Sequence, residues 1–243
     1  MTDIIEVLSM RRSGHHAIMA WLAENLTGLQ VNSWDFRLTV MGNSEFFILN
    51  EANLWQKNAQ QLLNNFDNQP KTLMVNYEDA VSTFSIFGPN NHYYGKMNLR
   101  PVWGIEPRNS SRFLIIRNFY NLISSRYHAN ISGQYGHTYG KEFIELWKEN
   151  ARVVLNNSTP HIKFEDWLTS KEIRNQFLIE NFSIRERFSI ENIKGTPSSF
   201  KESKNVLDRH KMVELPESVK ELIKKDDELN YLIGALGYEY KKI

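Results

Sequence analysis

Cysteine is absent from these 243 residues. That excludes disulfides, thiolate metal sites and cysteine nucleophiles, and it fits a reducing compartment. Net charge is nearly absent too. Lys and Arg number 29 against 28 Asp and Glu, which leaves +1. No global field draws the chain to nucleic acid or to an anionic membrane, so any basic site is local. No apolar run approaches the roughly 18 residues of a membrane span. The opening, MTDIIEVLSM, has neither the basic flank nor the long apolar stretch of a secretion signal. These absences predict a cytoplasmic protein with no membrane insertion and no nucleic-acid partner. Proline is scarce, at 7 residues, and no Pro- or Ser-rich linker divides the chain. Residues 1–243 are expected to form one domain.

What is present alternates between strand and helix patterns. IIEVLSM (4–10) is a short, β-branched, nearly continuous apolar run, as in a strand buried on both faces. From Ala17 onward Ile18, Trp21, Leu22 and Leu26 recur at helical spacing. EFFILN (45–50) predicts a strand, and Ala59, Leu62, Leu63 and Phe66 predict a helix over 54–66. KTLMVNYED (71–79) reads as a buried strand ending in polar groups. Residues 84–110 are a long connection rich in Gly, Pro and Asn, and long loops of this kind are often functional. RFLIIR (112–117) is the clearest strand, followed by a helical pattern over 118–130 and a glycine-rich loop over 132–140. A helix over 141–155, a short strand at 161–164 and a helix at KEIRNQFLIENF follow. Thr169 and Glu172 fit a capping box for that last helix. Two short helices near 215–225 and 226–236 finish the chain, with Gly237 as a C-terminal cap. The alternation predicts one open, mostly parallel sheet covered on both faces.

Ligands of such sheets bind outside the carboxyl ends of the strands. VLSMRRSGHHAIMAWL (7–22) puts its polar residues at that place. A helix N-terminus offers N–H groups and a positive dipole end. Gly14 permits close backbone approach and positive φ. Ser13, His15 and His16 add donors, and Arg11 and Arg12 add charge. Together they predict an anion-binding loop for phosphate or sulfate. The usual nucleotide loop, G-x-x-x-x-G-K-[ST], is absent. Neighbouring histidines on a helix point about 100° apart, and the sequence shows no third ligand beside them. No metal is expected there.

FLIIRNFYNLISSRYHA (113–129) repeats the architecture. A strand ends in Arg117, and Ser125 follows eight residues later. Asn121 and Ser125 are one helical turn apart and share a face. Arg suits bidentate phosphate binding. Two anion-ready strand ends in one sheet imply a ligand with two separated anionic groups.

Taken together, these motifs resemble the sulfotransferases that use 3′-phosphoadenosine 5′-phosphosulfate. The family's first motif, P-K-S-G-T-T, is met by Arg11, Arg12, Ser13, Gly14, His15 and His16. Its second motif, a strand-end Arg with Ser eight residues on, is met by Arg117 and Ser125. HIKFEDWL (161–168) is similar to the family's strand ending in Y-E-D-L, and SSFKESKN (198–205) to its late basic loop over the nucleotide. The resemblance spans most of the chain. It implies an α/β fold: a three-layer sandwich with a central, mostly parallel sheet, related to nucleotide kinases. It departs from the pattern where Arg12 replaces Lys and where His15 and His16 replace two Thr.

The resemblance also implies roles. Arg11, Arg12, Ser13, Gly14, His15, His16, Ala17, Arg117, Ser125, Phe200 and Lys201 would bind the donor. Its product, adenosine 3′,5′-bisphosphate, would keep its 3′-phosphate on Arg117 and Ser125. Arg12 would stabilise the leaving phosphate, with no metal. Glu78 is the first choice of general base, with His92 second and Asp79 competing. A carboxylate base needs its pKa raised by burial. If the strand continues to Asp79, only one of the two acids faces the cleft. Glu165 and Asp166 are expected to orient loops. Trp21, Trp34, Trp55 and Trp103 are the candidates to stack on adenine. The acceptor would be a hydroxyl or amine of a carbohydrate, lipid or small molecule. A nucleotide or small-molecule kinase on a related fold is the alternative, as is a nucleotide-binding homologue without turnover.

Overall fold

The computed structural model describes residues 2–29, 38–41, 46–50, 72–79, 107–133, 139–190 and 206–239. The expected helix over 54–66 and most of the 84–110 connection lie outside them. So does most of the Lys-rich stretch before residue 206.

Among the described residues six strands form one sheet: β1 (Thr2–Ser9), β2 (Leu38–Met41), β3 (Phe46–Asn50), β4 (Thr72–Glu78), β5 (Pro107–Ile116) and β6 (His161–Lys163). Their spatial order is β2-β3-β4-β1-β5-β6. β2 pairs antiparallel with β3, and every other pairing is parallel. Ser9 stands opposite both Glu78 and Ile115, so the carboxyl ends of β4, β1 and β5 finish side by side. β5 begins at Pro107, five residues before the sequence expectation at Arg112.

Successive strand residues point to opposite faces, and the core divides accordingly. Ile4, Leu8, Leu73, Val75, Leu114 and Ile116 pack on one face. Against them lie α2 (Phe119–Ile131), α3 (Lys141–Leu155), α6 (Glu217–Lys224) and α7 (Asp227–Ala235). Ile5, Val7, Met74, Phe113, Ile115 and Ile162 pack on the other. That face is covered by α1 (His15–Thr27), α4 (Phe164–Thr169) and α5 (Lys171–Phe182). The result is the expected α/β sandwich of three layers. No described helix is long and apolar enough to cross a membrane.

Two local expectations shift. α1 starts at His15, two residues before the periodicity begins. Core-facing spacing starts only where the helix reaches the core, while its first turn faces the sheet edge. α5 is capped by Ser170, whose hydroxyl accepts from the Ile173 amide at 3.2 Å. Thr169 instead ends α4, its hydroxyl donating to the Glu165 carbonyl at 2.9 Å. Gly237 takes φ 78 just past α7 and donates to the Gly234 carbonyl at 2.9 Å, as a C-terminal glycine should.

Candidate functional site

The loop after β1 is a tight turn. The Ser13 amide donates to the Met10 carbonyl at 3.0 Å. Arg12 (φ 72) and Gly14 (φ 87) both take left-handed backbone. Left-handed residues set among right-handed ones curl neighbouring N–H groups into an anion-binding concavity. α1 begins at His15, and the first N–H groups of a helix have no acceptor within it. The exception is Ala17, whose amide already donates to the Gly14 carbonyl at 3.1 Å.

The second motif closes on the first. Arg117, 1% exposed, donates from Nη1 to the Arg12 carbonyl at 2.7 Å. Its guanidinium lies over the Phe164 ring, 4.8 Å from the centroid. Ser125 is fully buried on α2 and accepts from Arg209 Nη1 at 3.0 Å. Arg209 sits on a short 3₁₀ segment, Val206–Lys211. Asn121 holds that segment, donating to the Leu207 carbonyl at 2.6 Å and accepting from the His210 amide at 3.3 Å. The shared face of Asn121 and Ser125 thus carries a third arginine to the pocket. The sequence reading missed Arg209 because no strand–Arg–helix pattern surrounds it.

Burial lowers the pKa of Arg117 to about 10; Glu165 opposes this and Arg12 adds to it. Burial, then the charges of Arg117 and Arg12, lowers Arg209 to about 9. Burial also lowers Arg12, with Glu78 opposing and Arg126 adding. All three stay protonated at neutral pH, and they repel one another. Like charges gathered at a sheet's ligand edge, with a helix N-terminus beside them, favour an anion.

Glu165 behaves as expected. Both its oxygens accept from the Asn118 amide at 3.1 Å, and Oε2 accepts from the Tyr238 hydroxyl at 3.3 Å. It fixes the start of α2 below Arg117.

Glu78 departs from expectation. β4 ends there, and Asp79 turns away in left-handed backbone, φ 58. Both acids therefore reach the loop after β1. Glu78 Oε1 lies 2.6 Å from His15 Nε2 and 3.7 Å from His16 Nε2, and Oε2 lies 3.3 Å from Arg11 Nε. Burial would raise its pKa, but His15, His16 and Arg11 outweigh burial and hold it down at about 2. A carboxylate so acidic is a weak proton acceptor at neutral pH. In this arrangement Glu78 ties the end of β4 to the loop after β1 and lacks the raised pKa expected of a tuned base.

β4 also brings the third ligand type that the sequence did not reveal. The His15 and His16 rings lie 3.9 Å apart, and one ligand atom each of His15, His16 and Glu78 falls within 4.8 Å of the others. The group could hold a metal ion by geometry. Its charge is already met by Arg11, with Arg12 alongside, and such surroundings favour an anion over a cation.

Trp21 is fully buried, and its indole N–H donates to Glu186 at 2.9 Å. It offers no face to a nucleobase, contrary to its place among the stacking candidates. His92, Phe200 and Lys201 lie outside the described residues, as do Trp34, Trp55 and Trp103.

Neither a protein-family model nor a curated protein matches the sequence. Solved structures do match. The mouse sulfotransferase SULT7A1, complexed with PAP, aligns over 96% of this chain and 89% of its own, at 12% identity and TM-score 0.51. The fold is a sulfotransferase fold. The sulfotransferase domain of a Synechococcus olefin synthase aligns over 99% of this chain and 98% of its own, at 13% identity and TM-score 0.48. That of the curacin biosynthetic pathway covers 99% of both chains, at 13% identity and TM-score 0.45.

Proposed function

We propose that this protein moves a sulfuryl group from 3′-phosphoadenosine 5′-phosphosulfate to an acceptor hydroxyl or amine. The carrying observation is the meeting of Arg12, Arg117 and Arg209 with Ser125 beside the α1 N-terminus. A donor with separated 5′ and 3′ anionic groups matches two such grips. The loop and Arg12 take the phosphosulfate end. Arg117, Ser125 and Arg209 take the 3′-phosphate, which ATP lacks. The mouse sulfotransferase of the same fold holds PAP.

The chemistry follows from the charges. The acceptor oxygen or nitrogen bonds to sulfur as the sulfur–oxygen bond to the donor phosphate breaks. The departing phosphate gains negative charge. Arg12 and the loop N–H groups stabilise it where that charge develops. The acceptor's proton leaves to a base, and His92 is now the foremost candidate because Glu78 is held acidic. The acceptor class is a carbohydrate, lipid or small molecule.

A thermal-shift panel tests the reading. Adenosine 3′,5′-bisphosphate should stabilise the protein without magnesium, and more than ATP or ADP with or without it. A preference for ATP with magnesium would instead point to a kinase. Donor consumption across carbohydrates, phenols, lipids and peptides then finds the acceptor. Bisphosphate binding with no turnover on any of them, nor on water, would leave a nucleotide-binding protein.

A further inference from the structure

We infer that Arg126 and Asp79 are positioning residues for the phosphate loop, fixing the backbone of Arg11 so that its carbonyl is kept off the anion. The identity of that anion, a 5′-phosphosulfate, rests on the sulfotransferase reading.

Arg126 follows Ser125 on α2 and is fully buried. Its Nε donates to the Arg11 carbonyl at 3.2 Å, and its Nη2 donates to Asp79 Oδ1. The same Oδ1 accepts from the Arg11 amide at 3.1 Å. Both backbone polar groups of Arg11 are therefore held by this one pair. The Asp79 amide donates to the Ser9 carbonyl at 2.9 Å, which ties the end of β4 to the end of β1. One residue further on, Arg117 takes the Arg12 carbonyl.

The electrostatic consequence is specific. A carbonyl oxygen carries partial negative charge and repels a phosphate. Here two consecutive carbonyls are turned onto buried guanidiniums. Held there, neither carbonyl is free to turn toward an anion, and Arg12, just before Ser13, takes left-handed backbone. Both guanidiniums come from the second motif, so the 3′ side of the site shapes the 5′ side.

Packing alone does not call for this pair. Replacing a buried ion pair by apolar residues of similar volume is often neutral or stabilising. The Arg126 side chain is held in place by stacking, with its guanidinium over the Phe143 ring, 4.7 Å from the centroid. Its planar fork presents Nε to a carbonyl and Nη2 to a carboxylate in one fixed geometry, which the point charge of Lys does not reproduce.

The test separates the 5′ grip from the rest. Calorimetry with Asp79→Asn and Arg126→Lys uses adenosine 3′,5′-bisphosphate, adenosine 3′-phosphate and pyrophosphate. Circular dichroism and melting curves check the fold, and Asp79→Asn, at a partly exposed site, serves if Arg126→Lys does not fold. The expected result is a bisphosphate affinity lowered about tenfold or more, with adenosine 3′-phosphate binding unchanged. An equal loss for both nucleotides marks a merely structural role and overturns the inference. Unchanged binding of all probes overturns it too. If the wild type binds pyrophosphate but neither nucleotide, the sulfotransferase reading falls, and the positioning role is decided by pyrophosphate: about tenfold weaker binding in Asp79→Asn upholds it. If the wild type binds no anion, both fall.

Discussion

Gly14 lies against the ring of Phe164 so closely that a β-carbon at residue 14 would overlap Cε2 and Cδ2 and sit 3.0 Å from Cζ. The same ring carries the Arg117 guanidinium on its face. The loop after β1, the start of α4 and the strand-end arginine therefore share one contact. Gly14→Ala meets two penalties. Left-handed backbone costs a non-glycine residue about 1–2 kcal/mol, and overpacking a filled space costs about 1–3 kcal/mol. The expected outcome is a lower melting temperature together with weaker bisphosphate binding, read by thermal melts and calorimetry. Wild-type values for both would show that the loop yields at no cost.

Arg209→Ala should separate affinity from stability. Removing one of three mutually repelling cations relieves the free protein, so its melting temperature is expected to hold or rise. Affinity for adenosine 3′,5′-bisphosphate should fall about tenfold or more, with adenosine 5′-phosphate scarcely affected. Arg117→Ala and Ser125→Ala should show the same ligand selectivity. Equal losses for both nucleotides would move the 3′-phosphate elsewhere.

Arg12 is expected to matter most while the leaving phosphate gains charge. Arg12→Ala should lower donor turnover by about 10²–10³, with a smaller loss of bisphosphate affinity. Donor consumption under single-turnover conditions, beside calorimetry, measures the two. Full turnover in a folded variant would remove Arg12 from the chemistry.

The cluster at Glu78 predicts acid sensitivity with a definite sign. Burial and the neighbouring His15, with Arg12 adding and Glu78 opposing, lower the His16 pKa from 6.5 to about 2. The unfolded chain therefore binds this proton first, and stability declines as pH falls below about 6.5. Glu78, lowered from 4.5 to about 2, stabilises the fold above 4.5, and that contribution is lost between 4.5 and 2. His16→Gln should flatten the decline in the upper part of this range, and Glu78→Gln in the lower part. Denaturant unfolding from pH 7 to pH 3 checks both. Parallel curves for wild type and variants would contradict the assignment.

Glu78→Gln also separates anchor from base. As an anchor, its loss displaces His15, His16 and Arg11, so bisphosphate affinity and turnover fall together. A base would lose roughly 10²–10⁴ in turnover with affinity intact. The paired measurement decides which.

Much of the fold was legible because it rests on local pattern. The β1 and β4 runs and the second half of β5 are largely apolar because they are buried on both faces, and α3 spans 141–155 as its spacing predicted. The two strand–loop–helix motifs were legible for the same reason: Arg12, Gly14, Arg117 and Ser125 each sit at a fixed offset from a strand end. What only the tertiary structure decided are the meetings between distant segments. Sequence spacing did not carry Arg209 to Ser125, Arg126 to the Arg11 carbonyl, or Glu78 to a histidine pair more than sixty residues away. Those contacts depend on strand order and register, and on helices packed across two faces. They also reversed one expectation of charge: burial alone would have made Glu78 a stronger base, and its neighbours made it a weaker one.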